Sequence, residues 1–372
     1  MLKNHLRELR TRITCLPWRL AEGAGLWSGT GSPIQFVTER ANWAIQWVGE
    51  HVRDEVNIIA PDSVETTVFP QKLARRIVHF GSQYMWLTWR QHMSRSNRYV
   101  TSFFHGKPED GPTVARHIDQ FMLSVPALEK IITGAGMIER RLLDWGVPEE
   151  KLVRIPIGVD TRTFSPPDEQ RRASLRQQFD IPQHAIVVGS FQKDGEGWGE
   201  GLSPKLIKGP DIYIEVMVRL KSLGIPVLGF LTGPARGYVK EGLARHGIPF
   251  IHKYVPNQSD LASCYHALDL YLVTSREEGG PMGLMESMAS AVPVISTPVG
   301  MAPDLIVDGV TGGLSEECSA DAIMEKVGVV LGLPSSALQR LRTKARSAVK
   351  IADWSIVGSD HWLKVYRPLL QL

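Results

Sequence analysis

The chain is poor in the features that would fix its class at a glance. Its 372 residues hold three cysteines, Cys15, Cys264 and Cys318. They are far apart and lack the paired spacing of a zinc site or a disulfide framework, which argues against a stapled secreted domain and points to a reducing compartment. They read as small buried hydrophobes. No apolar run approaches the roughly 20 residues that a bilayer span needs. The opening stretch MLKNHLRELRTRITCLPWRL has basic residues among leucines but no unbroken apolar core, so it is a poor secretory signal. It reads as an ordinary surface helix or a disordered start, with a basic amphipathic helix resting on a membrane surface as the alternative. Charge of one sign is also missing. With 42 basic and 39 acidic side chains the net charge is +3, which gives no argument for a nucleic-acid partner.

What is present is an alternation of strands and helices in a chain long enough for two domains. From Arg172 onward the strands are AIVVGSF, PVLGFLTG, PFIHKYV, LDLYLVTS and PVISTPVG. Between them lie helical stretches such as PDIYIEVMVRLKSLG, SDLASCYHAL and PMGLMESMASA. Near-continuous apolar strands at this spacing imply a doubly wound parallel sheet, with ligands expected outside the carboxyl ends of its strands. The first half is less regular, with VNIIAP, RIVHFGSQYMW, RYVTSFFHG, FMLSVP and KLVRIPIG as strand candidates and NWAIQWVGEHVRD, PTVARHIDQF and ERRLLDWG as helices. The expected domains are 1–165 and 166–372, separated near Ser165 where prolines and a charged run suggest a linker.

The stretch SREEGGPMGLMESMASAVPVIS, from Ser275 to Ser296, carries the chemistry. Pro281 suits the first turn of a helix running to about Ala291. The backbone from Gly279 and Gly280 through Pro281, Met282, Gly283 and Leu284, with the free N–H groups of its non-proline residues and the positive end of the helix dipole, would form an anion pocket that glycine lets a phosphate approach. Glu278 lies just before the pocket, and Glu286 roughly 7–8 Å further along the axis. Two carboxylates so placed can each grip a hydroxyl-rich group at opposite ends of a diphosphate. The plainer alternative is an acid near a helix start and a solvated face residue.

The run from Glu277 to Leu314, with Glu278 and Glu286 separated by seven residues and a D-G-x-T-G-x-L ending at Asp308 to Leu314, closely resembles the signature of retaining glycosyltransferases of family 4, the glycosyl transferases group 1. GVPEEKLVRIPIGVDTRTFSP resembles their domain junction, with Asp160 near its centre. The resemblance implies the GT-B fold, two Rossmann-like doubly wound α/β domains facing across a cleft, with the last helix crossing back to the first. It implies a sugar moved from a nucleotide diphosphate donor of UDP or GDP type to a carbohydrate, lipid-linked or other hydroxyl acceptor, in polysaccharide or glycolipid assembly. Glu278 would bind the transferred sugar and Glu286 the ribose.

No cofactor is implied, and the chain has no Asp-x-Asp. A leaving diphosphate then needs cationic side chains. The family usually has an arginine after the glycine of the donor domain's first strand; here Ser190 stands there, and Lys193 and Lys208 are the expected replacements. Gly195 to Gly201, with Trp198, reads as a mobile loop over the site or a surface insertion. Thr232, Gly233, Pro234, Tyr254 and Val255 end strands and could line the base pocket. Arg276 is a phosphate contact or a surface charge. His105, at a strand end of the first domain, matches a family histidine near the transferred sugar. Ser124 and Asp160 are weaker candidates, and Gly29 and Gly31 loosely match a Gly-rich loop after the first strand. A cytoplasmic protein is expected, with peripheral attachment to the inner face of a membrane as the alternative. Competing functions are a non-catalytic nucleotide-sugar binding subunit and a phosphorylase- or epimerase-like enzyme.

Overall fold

A computed structural model describes residues 2–39 and 44–371, and the side chains of all of these except 2–8 and 44. The chain divides into two compact units, one formed by 1–158 with 354–372, the other by 159–353. The division therefore falls at Gly158 rather than near Ser165, and the C-terminal segment joins the first unit. Gly158 and Trp354, the two residues of unit 1 that flank the division, pack closely: a side chain at Gly158 would overlap the Trp354 indole, with an ideal Cβ 2.2 Å from Trp354 Cδ2.

Unit 1 holds a six-stranded sheet of β1 (Ile34–Val37), β2 (Val64–Thr67), β3 (Ile77–Phe80), β4 (Arg98–Ser102), β5 (Lys130–Thr133) and β6 (Leu152–Arg154), in the order β2-β1-β3-β4-β5-β6. Every paired neighbour is parallel. β1, β3 and most of β4 are buried, as continuous apolar strands covered on both faces must be.

Two expected strands are helical. VNIIAP closes the helix Ala44–Ile59, whose buried Val52 and Val56 are one turn apart while Ile58 is exposed. A four-residue apolar run does not distinguish strand from helix, and here the helical face prevails. FMLSVP contains the end of the helix Pro112–Met122 and a short 3₁₀ turn, in which Ser124 Oγ donates to the Phe121 carbonyl. The helix expected from Asn42 begins among residues outside those described. Gly29 and Gly31 precede β1 instead of following it, so the expected loop after the first strand is corrected. Their positive φ angles let them pack against Ala74 and Glu65 of the same unit.

The N-terminal residues form a helix, Leu2–Gly23. Thr11 and Cys15 are buried on its inner side, and Arg19 donates to the Gln71 and Leu73 carbonyls at 3.1 Å each. The outer side shows Leu9, Ile13, Leu16 and Leu20, between 52% and 64% exposed. At the other end of the chain, the helix Trp354–His361 packs on Ala44–Ile59, where Gly358 allows contact with Glu55. Its Trp354 and Val357 enter the core of unit 1 with Phe36, Ile77 and Tyr366.

Unit 2 repeats the plan with β7 (Ile186–Phe191), β8 (Val227–Thr232), β9 (Phe250–Lys253), β10 (Leu270–Val273), β11 (Val294–Ser296) and β12 (Gly313–Leu314), ordered β12-β11-β10-β7-β8-β9. These pairs too are all parallel. All five strands expected in this half are present. Strand order reverses beside β7 and β10, and at such a switch point the loops leaving adjacent strands diverge and open a crevice.

Candidate functional site

The loops leaving β7 and β10 meet at Lys208 and Glu278. Lys208 ends a 3₁₀ turn, and Gly209 behind it caps the helix Pro210–Ser222 with left-handed φ of 63°. A Cβ on Gly209 would lie 1.8 Å from the Thr274 carbonyl oxygen, just past β10. Thr274 Oγ1 donates back to the Gly209 carbonyl at 2.8 Å. Glycine is required twice here, for dihedral and for space. The contact holds Lys208 against the β10 loop, where its Nζ lies 2.5 Å from Glu278 Oε1. Ser275 Oγ donates to the same oxygen at 3.0 Å.

Glu278, Gly279 and Gly280 lead into the helix Met282–Ala289, which starts one residue after Pro281 and stops two short of Ala291. Gly300 packs against this turn, its ideal Cβ position 3.0 Å from the Glu278 carbonyl oxygen and from Gly280 N. Gly283 answers to packing as well: a Cβ there would meet the Tyr271 hydroxyl at 2.1 Å. Glu286 points inward from the helix and is buried. Tyr265 Oη donates to its Oε2 at 2.7 Å. Burial pushes the Glu286 carboxyl up to about 7, against the smaller opposing effect of the Tyr265 hydrogen bond.

Ser190, at the carboxyl end of β7, is not without an arginine. Arg236, beyond β8, donates to the Ser190 carbonyl at 2.5 Å and to its Oγ at 3.2 Å. It also pairs with Asp194 at 2.9 Å, the two side chains being 0% and 1% exposed. That guanidinium is consumed by the protein, and breaking so buried a pair would cost about 3–5 kcal/mol.

Lys193 lies over the Trp198 ring, 3.8 Å from its centroid. The Gly-rich segment around Trp198 is tied down. Gly195 bridges Pro204, Lys205 N donates to the Asp194 carbonyl at 2.7 Å, and Gly237 N donates to the Glu200 carbonyl at 2.6 Å. Gly195 and Gly201 are glycines because the Ala235 carbonyl passes 2.3 Å from where each Cβ would sit.

Residues 202–348 match the family model described as glycosyl transferases group 1. The chain's fold is GT-B. Across 92% of its length this GT-B chain superposes on the whole of the Anabaena Alr3699/HepE structure solved with UDP and glucose, at a TM-score of 0.72 and 16% identity. Sucrose-phosphate synthase from Thermosynechococcus elongatus superposes equally well, at 0.72 and 16% identity over 91% of this chain and 99% of that one. Among curated relatives, the lipopolysaccharide core biosynthesis mannosyltransferase LpsB of Rhizobium meliloti is 30% identical over 159 residues, 41% of this chain and 42% of LpsB. A D-inositol 3-phosphate glycosyltransferase of Corynebacterium aurimucosum is 27% identical over 231 residues, 58% of this chain and 52% of that protein. The chain spans about half the length of the curated relatives it matches.

The remaining expected residues are more scattered. Gly233 has φ of 84° and its carbonyl accepts from His252 Nε2 at 2.8 Å, which ties the ends of β8 and β9. Tyr254 is exposed and Val255 half-buried just beyond β9. Arg276 is committed to Asp211, with contacts of 2.9 and 2.6 Å. In unit 1, His105 follows β4 and its carbonyl accepts from Gln83 Nε2 at 3.0 Å.

Sequence reading missed Arg236, Tyr265 and Lys205. The ammonium of Lys205 is disfavoured by burial first and then by the neighbouring Lys208, with Lys193 adding to the effect and Glu278 and Glu196 opposing it. Ser190 marked an arginine missing from its place but gave no signal for Arg236. Tyr265, in SCYHAL, gave none.

Proposed function

We propose that the chain is a glycosyltransferase that moves a sugar from a nucleotide diphosphate donor, of UDP or GDP type, to an acceptor hydroxyl with retention of configuration and without a metal ion. The observation that carries this reading is the Lys208–Glu278 pair, at the carboxyl ends of the switch-point strands and beside the start of the helix Met282–Ala289. The helix N–H groups and Gly279–Gly280 receive the diphosphate. Lys208, with Lys193 and Lys205 behind it, neutralises the negative charge that grows on the leaving phosphate.

Glu278, already oriented by Lys208 and Ser275, accepts hydrogen bonds from the transferred sugar. Glu286, oriented by Tyr265, accepts from the ribose. Gly233, Tyr254 and Val255 edge the base. A phosphate oxygen of the leaving group takes the acceptor proton on the same face, so no side chain acts as nucleophile. The acceptor class, carbohydrate or lipid-linked, follows the relatives that act in lipopolysaccharide core biosynthesis and on phosphatidylinositol monomannoside. An acceptor at a membrane suits the outer side of the N-terminal helix, where apolar Leu9, Ile13, Leu16 and Leu20 run beside Arg10 and Arg12.

A panel of radiolabelled UDP- and GDP-sugars, with and without candidate acceptors, tests the proposal. The wild type should release or transfer sugar from one donor, and Lys208→Ala should lose about 10²–10³-fold in kcat. Binding with no turnover from any donor would instead support a non-catalytic subunit, the reading favoured by Ser190 in the arginine position.

A further inference from the structure

The helix Met282–Ala289 has a second end. Past Ala289 the chain turns through Ser290 into β11, and Leu268 leads into β10, so this end lies at the amino ends of strands whose carboxyl ends lead to the donor site. Unit 2 has a cavity of about 590 Å³ there, walled by Ser290, His266, Arg342 and Arg346 and by the start of the helix Glu169–Gln178. That volume suits a small ligand.

Three buried polar atoms in this wall have no partner among the described residues: Ser290 Oγ, His266 Nδ1 and Arg342 Nε. Ser290 is 1% exposed. Roughly nine in ten buried polar groups in proteins are satisfied, so three exceptions around one cavity call for an explanation. The other cations of the wall are occupied. Arg172 binds Asp269 at 2.6 Å and the His266 and Leu268 carbonyls. Arg346 donates to the carbonyls of Phe164, Ala289 and Thr161. Arg342 makes no hydrogen bond among the described residues. Asp269 acts on Arg342 by charge, but its oxygens are taken by Arg172 and Arg176; Asp168 caps its own helix by accepting from Arg171 N at 2.6 Å, and Glu169 is exposed.

The chemistry of the three atoms is complementary. Arg342 offers a guanidinium edge to an oxyanion. His266 Nε2 donates to the Ser165 carbonyl at 2.8 Å, which leaves Nδ1 as a lone pair that needs a donor. Burial, with Arg171 and Arg172 nearby, lowers the pKa of His266 and keeps the ring neutral. Ser290 can serve either partner.

We propose that this cavity is a second ligand site, separate from the donor site, for a small polyhydroxylated anion of the sugar-phosphate class, its phosphate on Arg342 and a hydroxyl on His266 Nδ1. Inorganic phosphate satisfies Arg342 but fills only a fraction of the volume, and a neutral sugar leaves Arg342 unmet.

Titration calorimetry on the full chain, saturated with UDP and GDP to occupy the nucleotide site, tests this with glucose 6-phosphate, inorganic phosphate and glucose as probes. The expected result is saturable binding of glucose 6-phosphate, at least about tenfold tighter than phosphate or glucose. Arg342→Gln should weaken it at least about tenfold, and Ser290→Ala by a smaller factor, while nucleotide affinity stays at the wild-type value and shows that both variants are folded. Absence of binding, equal affinity for inorganic phosphate, or undiminished binding in Arg342→Gln would overturn the proposal.

Discussion

Glu286 is enclosed with a single hydroxyl partner, and its titration near pH 7 links two observables. Its folded pKa is raised above the unfolded value of 4.5. Its contribution to stability is therefore complete below pH 4.5 and is lost as pH rises through about 7. Ligand binding should run the opposite way, because a ribose hydroxyl bonds more strongly to a carboxylate than to a neutral carboxyl, by about 1 kcal/mol or roughly fivefold in affinity. Calorimetry with the nucleoside diphosphate between pH 6 and 8 should show affinity rising with pH, and Glu286→Gln should flatten the profile. Flat wild-type affinity would remove the ribose assignment. Lys193 and Lys208 could be named as candidates from the sequence because few cations follow that strand end. Arg236 could not, since nothing in one dimension says that a guanidinium beyond β8 folds back onto Ser190.

At the scale of elements, the Lys-Gly corner and the end of β10 behave as one piece. Gly209→Ala would place a Cβ inside the Thr274 carbonyl at a left-handed φ. A loss of about 2–4 kcal/mol in stability is expected, read as a lower midpoint in denaturant melts, with a larger fall in transfer rate than Thr274→Ala produces. The N-terminal helix makes a separate prediction. Ile13→Glu with Leu16→Glu should abolish co-sedimentation with anionic vesicles while leaving the thermal midpoint nearly unchanged, because both side chains face outward. Strands of unit 2 were readable because each is an apolar run bounded by Gly, Pro or Ser. In unit 1, IQFV, VETT and KIIT passed unnoticed because four residues of mixed character carry no clear period, and VNII was misread for the same reason. Gly279, Gly280 and Glu278 could be read as a candidate site from their order alone; the role of Gly283 as clearance for Tyr271 could not, because Tyr271 comes from a different element.

For the molecule as a whole, acid should act first on unit 1. His79 and His361 are buried there and burial lowers both pKa values, that of His361 to about 4. Each contributes stability that is intact above pH 6.5 and lost as pH falls towards the folded pKa, on the order of 3 kcal/mol for His361. Thermal melts should show a lower midpoint at pH 5 than at pH 7, and His361→Gln should narrow that difference. Unit 2 is one uninterrupted span of chain, while unit 1 is assembled from both termini. The ends of that span are side by side: Val159 pairs with Asp353 in a parallel bridge, its N–H donates to the Ala352 carbonyl at 2.8 Å, and Thr161 Oγ1 donates to Asp353. Unit 2 is thus spliced into the chain of unit 1 like a cassette, entering and leaving through one doorway. A recombination at that doorway could exchange all of unit 2 while leaving the rest of the chain continuous.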